Sequence, residues 1–137
     1  MKIILSSDHA GYELSKGLKD YLHAKGHEIF YMGPTDYDSK DDYPDFVIPA
    51  MKRLQKGFRE GDADIRAILM CRNGVGVCVT ANKFTGVRSG LCFNKLHTQF
   101  ARSDDNINVL AIPVDYLSDE EILDVIDSFL ETPYSAL

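Results

Sequence analysis

Five short runs, KIILS, HEIFYMG, IRAILM, VRSGLCF and INVLAIP, alternate along the chain with stretches whose apolar residues recur at helical spacing. Within the runs the apolar character is continuous rather than confined to every second position, which marks strands buried on both faces. YELSKGLKDYLHAKG carries Leu14, Leu18, Tyr21 and Leu22 at helical spacing and meets a stop at Gly26. YPDFVIPAMKRLQKGFREG puts Phe46, Val47, Ala50, Met51 and Leu54 on one face; Pro44 suits its first turn, and Pro49 is expected to bend or shorten it. A short helix is expected over residues 75–83, another over KLHTQFARS, and a last one opens on SDEE, a capping-box-like start, and continues as ILDVIDSFLE. This alternation predicts an α/β fold: three αβα layers around a doubly wound, five-stranded parallel sheet of Rossmann-like type, in a single domain over residues 1–137.

Composition narrows the class of function. A net charge of −6, with Asp36, Asp38, Asp41, Asp42 and Asp45 gathered in one loop and Asp104 beside Asp105, is the opposite of the clustered basic face that nucleic acid requires. No apolar run approaches the roughly 18–20 residues of a membrane span, and MKIILSSD turns polar too soon for a signal peptide. Cys71, Cys78 and Cys92 fit neither a disulfide framework nor a zinc site and read as reduced thiols, so a cytoplasmic protein is expected.

In a doubly wound sheet the ligand lies beyond the carboxyl ends of the strands, where strand order reverses. The segments to search are therefore SSDHAG, the DYP loop, CRNGVG, and the loops after Cys92 and Ile112. CRNGVG closes a strand and opens a helix, so its amides can converge on a phosphate or a developing oxyanion. It lacks the spacing of a dinucleotide fingerprint and the lysine of a P-loop, and a plain tight turn is the competing reading. Cys71 at this loop, next to Arg72, reads either as an activated thiolate or as a buried small hydrophobe, the reading that suits Cys78 and Cys92 better. Asp8 and His9 offer an acid beside a near-neutral imidazole, and Ser7 or Asp8 equally serves as a helix cap. His23 and His27 belong to the far edge of the sheet, whereas His97 begins a helix near the functional edge. Tyr43 either stacks on a ligand or makes a capping or staple contact.

Taken together, SSDHAGYELSKGLKDYLHAKGHEI, DYPDF, GDADIRAILMCRNGVGVCVTANKFTGVRSGLC and ARSDDNINVLAI resemble, in order and over nearly the whole chain, the ribose-5-phosphate isomerase B family, which includes the two galactose-6-phosphate isomerase subunits. The resemblance implies interconversion of aldose and ketose phosphates by proton transfer between C1 and C2 through an enediolate, with no metal and no organic cofactor. It implies a homodimer or homotetramer with active sites shared between subunits and a sugar phosphate as the partner molecule. By the same resemblance Cys71 is the catalytic base, and the loop of Arg72, Asn73, Gly74, Val75 and Gly76 binds the enediolate oxygens. Asp8 and His9 serve ring opening and contacts to sugar or phosphate oxygens. Tyr43, Asn82 and Lys83 fall on the tyrosine of the DYP motif and on the ANK motif.

The departures from the family pattern are specific. Arg72 and Asn73 stand where the family usually has glycine and a hydroxyl residue, and the arginine either contributes charge to the site or obstructs the loop. Asp104 stands where the family's ring-opening histidine is found, with Asp105 next to it; a buried acid can transfer protons, but adjacent carboxylates repel phosphate. The arginines that clamp phosphate in the family have no counterpart in PVDYLS or TPYSAL, which leaves His9, Arg72, Arg88, Lys95, His97 and Arg102 as the cations expected near the functional edge. Two functions follow: an isomerase of a sugar phosphate, or a non-catalytic sugar-phosphate-binding protein or subunit that requires a paralogous partner chain.

Overall fold

The computed structural model describes residues 1–135. Its strands are β1 (Lys2–Ser7), β2 (Glu28–Tyr31), β3 (Ile65–Cys71), β4 (Ser89–Leu91) and β5 (Val109–Pro113); its helices are α1 (Tyr12–Ala24), α2 (Pro44–Arg59), α3 (Val75–Ala81), α4 (Lys95–Ser103) and α5 (Asp119–Glu131). All strand pairs are parallel, in the order β2-β1-β3-β5-β4. The chain steps from β1 to β2 on one side of the sheet and then crosses to β3 on the other. The loops that leave β1 and β3 therefore face each other across the point where strand order reverses.

Successive strand residues face opposite layers. Ile3, Leu5, Ile68, Met70, Leu110 and Ile112 pack against Leu18 and Leu22 of α1 and Ile122, Val125, Ile126 and Phe129 of α5. Ile4, Ala67, Leu69, Cys71, Val109 and Ala111 pack against Val47, Ala50, Met51 and Leu54 of α2 and Val77 and Ala81 of α3. Strands covered on both faces have no need of polar alternation, which is why the runs are apolar throughout.

Local signals account for most element ends. Gly26 is left-handed, with its amide on the His23 carbonyl at 2.9 Å and the His27 amide on the Leu22 carbonyl at 3.2 Å, the closing pattern of a Schellman-type cap. Ser118 and Glu121 form the reciprocal capping box that opens α5. Asp8 caps a short 3₁₀ turn, His9–Gly11, rather than α1 directly, by accepting from the Ala10 amide at 2.9 Å. The helix α2 runs uninterrupted through Pro49, contrary to the expected shortening. Pro49 lies on the exposed face, where water meets the carbonyl that it leaves without a donor.

Among the elements shorter than the sequence predicts are β4 and α3. Pairing of β4 with β5 begins only at Ser89, because the Val87 amide closes a turn onto Phe84 and the Arg88 amide is taken by the Asn108 side chain. The helix α3 ends at Ala81, which leaves Asn82 and Lys83 in the turn that follows. Beyond it, the Arg66 guanidinium donates to the Phe129 carbonyl, while that of Arg102 donates to Thr132 and Ile107, anchoring the end of α5 beneath the sheet. Among the described residues no helix is long and apolar enough to cross a membrane.

Candidate active site

Cys71 is the last residue of β3 and is buried at 4% exposure between the sheet and the α2/α3 layer. The chain leaves it through Arg72 and Asn73 and turns at Gly74, whose φ of +74° lies in the left-handed region. A β-carbon there would stand 3.0 Å from the Pro113 amide nitrogen, so both conformation and space demand glycine. The Asn73 side chain accepts from the Val75 amide at 3.1 Å and so occupies one donor at the start of α3.

Tyr43 walls this loop. It caps α2 with its carbonyl, and its ring lies against the α-carbon of Gly76, where a β-carbon would come within 2.5 Å of the ring. The side chain is thus a packing contact that also borders the loop after Cys71.

Across the reversal point lies the loop after β1. Asp8 is buried at 7% exposure, and burial pushes its carboxyl above the usual value, only partly offset by the Ala10 hydrogen bond. His9 is held by Asp41, whose Oδ1 accepts from the His9 backbone amide at 2.9 Å and contacts Nδ1 at 2.7 Å. Tyr37 packs edge-on against the His9 ring with centroids 6.1 Å apart. Asp8, His9 and Asp41 each bring one ligand atom within 4.8 Å of the others. The 2.7 Å contact, however, is that of a shared hydrogen. Ligands about 2.0–2.2 Å from a zinc-like ion stand roughly 3.3 Å apart.

Asp41 is absent from the residues that the motifs select. It sits inside an acidic loop that reads as solvated surface, and its only sequence signal is its place just before DYP, where the chain must return toward the carboxyl edge.

Arg72 neither blocks the loop nor reaches over it. Its guanidinium is turned to Asp115, 3.2 Å away, and its side chain is 65% exposed. The Asp115 amide also bonds the Arg72 carbonyl at 3.0 Å, so the loop after β5 is tied to the loop after β3 twice.

The other residues picked out by resemblance lie elsewhere within one chain. The seven residues of α3 carry the chain about 10 Å from Gly74 to the amino edge of the sheet. There Asn82 clamps the start of β4, donating to the Ser89 carbonyl at 3.0 Å and accepting from its amide at 2.8 Å, with Lys83 next in the turn. Likewise α4 runs back through nine residues, about 13 Å, to its C-terminal cap Asp104, followed by Asp105, whose carbonyl accepts from Arg88 Nε at 2.8 Å.

Asn82, Lys83, Asp104 and Asp105 are therefore not brought to Cys71 of the same chain. Arg88 and Arg102, expected near the functional edge, also lie at the opposite one, and Arg102 is buried with carbonyl partners. Lys95 and His97, at the start of α4, remain on the Cys71 side and are exposed. Of the other thiols, Cys78 is half-buried in α3 near the Ser89 carbonyl, and burial pushes Cys92 up to about 11. A cavity of about 600 Å³ between α4 and α5 is lined by Leu96, Phe100, Asp124 and Asp127 and lies apart from these loops.

Residues 3–136 match the family model described as Ribose/Galactose Isomerase. The chain is 36% identical over 132 residues to the probable ribose-5-phosphate isomerase B of Mycoplasma genitalium, covering 96% of this chain and 84% of that protein. It is 33% identical over 135 residues to ribose-5-phosphate isomerase B of Mycobacterium tuberculosis, covering 98% and 80%. The crystal structure of ribose-5-phosphate isomerase B from Mycoplasma genitalium with bound ribulose-5-phosphate is similar with a TM-score of 0.92 at 33% identity, over 99% of this chain and 87% of that one. A cysteine closing the central strand, a glycine-shaped loop after it, an Asp-His pair facing it across the reversal point, and a match over almost the full length converge on one assignment: the chain belongs to the Ribose/Galactose Isomerase family.

Proposed function

We propose that the protein is an aldose-ketose isomerase of a sugar phosphate, acting on the ribose 5-phosphate/ribulose 5-phosphate pair or on a related pentose or hexose phosphate. The observation that carries this reading is the meeting, at one reversal point, of Cys71 and its glycine loop with Asp8 and His9. In the aldose-to-ketose direction the Cys71 thiolate removes the C2 proton and the electron pair forms the enediolate. A proton passes from O2 to O1, and the thiol, whose hydrogen exchanges with water, then protonates C1, which leaves the carbonyl at C2 and the thiolate regenerated. Loop amides left free beside Asn73, with Gly76 among them, stabilise the developing oxyanion. Asp8 and His9 handle the hydroxyl protons of ring opening. The names of the relatives, and the bound ribulose-5-phosphate in one of them, support the substrate class.

The site is completed by a second copy. Phe93, Leu96 and Phe100 leave an apolar face in water at the start of α4 and along it, Val75 and Val79 of α3 are exposed as well, and Asp104 follows Phe100 by one helical turn. A homodimer that buries this face carries the Asp104 and Asp105 end of one chain toward the Cys71 end of the other. The same separation of ends favours a second reading, in which this chain is one subunit of a two-component isomerase.

Incubation with pentose and hexose phosphates in heavy water, followed by NMR at C1 and C2, tests the reaction. Deuterium exchange that disappears in Cys71→Ala supports it. Binding without exchange by the purified chain, together with exchange only after a paralogous chain is added, supports the two-component reading.

A further inference from the structure

We propose that Asp41 is a positioning and specificity residue, which fixes the ring of His9 with one carboxylate oxygen and receives a hydroxyl of the sugar on the other. Both donors of His9 converge on the same oxygen, Oδ1, from the backbone amide at 2.9 Å and from Nδ1 at 2.7 Å. An ionised carboxylate only accepts hydrogen bonds, so Nδ1 carries the hydrogen and Nε2 is the ring nitrogen left to meet a ligand. The pair is nearly closed to solvent, with side-chain exposures of 15% for His9 and 10% for Asp41.

The second oxygen, Oδ2, is buried and has no hydrogen-bond partner. A desolvated carboxylate oxygen without a donor is unfavourable, and such an atom beside a candidate active site marks a place where a ligand supplies the donor. The surroundings say which kind. Asp8, His9 and Asp41 each bring one polar side-chain atom within 4.8 Å of the others, and one Asp8 oxygen is already bonded to the Ala10 amide. A sugar hydroxyl suits this corner because it is neutral, donates one hydrogen bond to Oδ2, and accepts another through its own oxygen. A site built around such a donor discriminates strongly against the analogue that lacks the hydroxyl.

This inference rests on the isomerase reading for its kinetic arm and is independent of it for its spectroscopic arm. Asp41→Asn separates the two roles: the His9 backbone amide keeps the carbonyl oxygen of the new side chain on the Oδ1 position, while an amide donor replaces the acceptor Oδ2. In ¹⁵N NMR of the imidazole, wild type and Asp41→Asn are expected to keep the Nδ1–H tautomer of His9, and Asp41→Ala to lose it. In kinetics, Asp41→Asn is expected to raise KM for ribose 5-phosphate about 10-fold with a smaller change in kcat, and Asp41→Ala to lower kcat about 10- to 100-fold.

Deoxy analogues of the sugar phosphate provide the decisive cycle. The one deoxygenated position that costs wild type at least about 10-fold in kcat/KM is expected to cost Asp41→Asn little. Equal losses for every analogue in both proteins overturn the hydroxyl role, and an unchanged His9 tautomer in Asp41→Ala overturns the positioning role. If wild type turns over no sugar phosphate, the isomerase reading fails. The tautomer measurement, and calorimetric binding of ribose 5-phosphate to wild type and Asp41→Asn, then decide the role of Asp41 by the same criteria.

Discussion

The ring of Tyr43 occupies the volume that a β-carbon on Gly76 would fill, with three ring atoms 2.5, 2.7 and 2.9 Å from that position. In an open helix, alanine in place of glycine would gain up to about 1 kcal/mol. Here the gain meets overpacking against a ring that is itself held in the α2/α3 layer, which typically costs about 1–3 kcal/mol. Gly76→Ala is therefore expected to lower stability in urea unfolding, and to raise it when introduced into Tyr43→Ala. A stabilising Gly76→Ala in the presence of Tyr43 would contradict this account of the contact.

The Arg72–Asp115 pair joins two loops at the site but is open to water, so its contribution to stability is small. Asp115→Asn is expected to change unfolding free energy by less than about 1 kcal/mol. Its effect on binding is larger, because it removes a carboxylate and frees the guanidinium at the site's rim. Under the proposed function KM for the sugar phosphate falls in Asp115→Asn and rises in Arg72→Ala, and both differences shrink as salt is added. A salt-independent KM in both variants would remove Arg72 from substrate binding.

Asp8 gives stability a predictable pH dependence. Its folded-state carboxyl titrates above the ordinary value of 3.8 because burial disfavours the charged form. The contribution of the neutral acid is fully present below the unfolded-state value and is lost as pH rises through the folded-state value. Asp8→Asn keeps the cap on Ala10 without the charge. Its thermal midpoint is expected to exceed that of wild type at neutral pH and to converge on it as pH falls toward the ordinary carboxylate value. A difference that stays constant with pH would assign the effect to something other than desolvation of Asp8.

If the site is shared between two copies, lesions at opposite ends of the chain complement each other. Cys71→Ala and Asp104→Ala are each expected to be inactive alone. Random re-pairing after mixing and refolding should restore about a quarter of wild-type activity, since half of the dimers are mixed and each of these holds one intact site. Phe100→Glu is expected to yield monomers in sedimentation and to abolish this complementation. Failure to regain activity from mixed dimers whose formation is verified by mass would place Asp104 outside the site.

The architecture was legible because the strand runs are short, apolar and separated by amphipathic helices, and the ends of α1 and α5 carry cap residues that act locally. Pro49 was harder, since the cost of a proline depends on whether water reaches the orphaned carbonyl, which is a tertiary property. Cys71, Gly74 and Gly76 were legible as a strand end and a tight loop. Asn82, Lys83, Asp104 and Asp105 were named by motif, but a motif does not say at which end of its helix the residues emerge, and seven or nine helical residues move them across the sheet. Asp41 left almost no trace, because its role comes from two hydrogen bonds to a residue 32 positions away.

If the proposed site is shared between copies, a chain whose thiol and whose carboxylates after α4 stand at opposite edges is predisposed to a division of labour after gene duplication. One copy can drift at its α4 carboxylates while it keeps the cysteine, and its sister can do the reverse, provided that they pair. Heteromeric descendants are reachable from such a layout by loss alone, without the invention of a new residue.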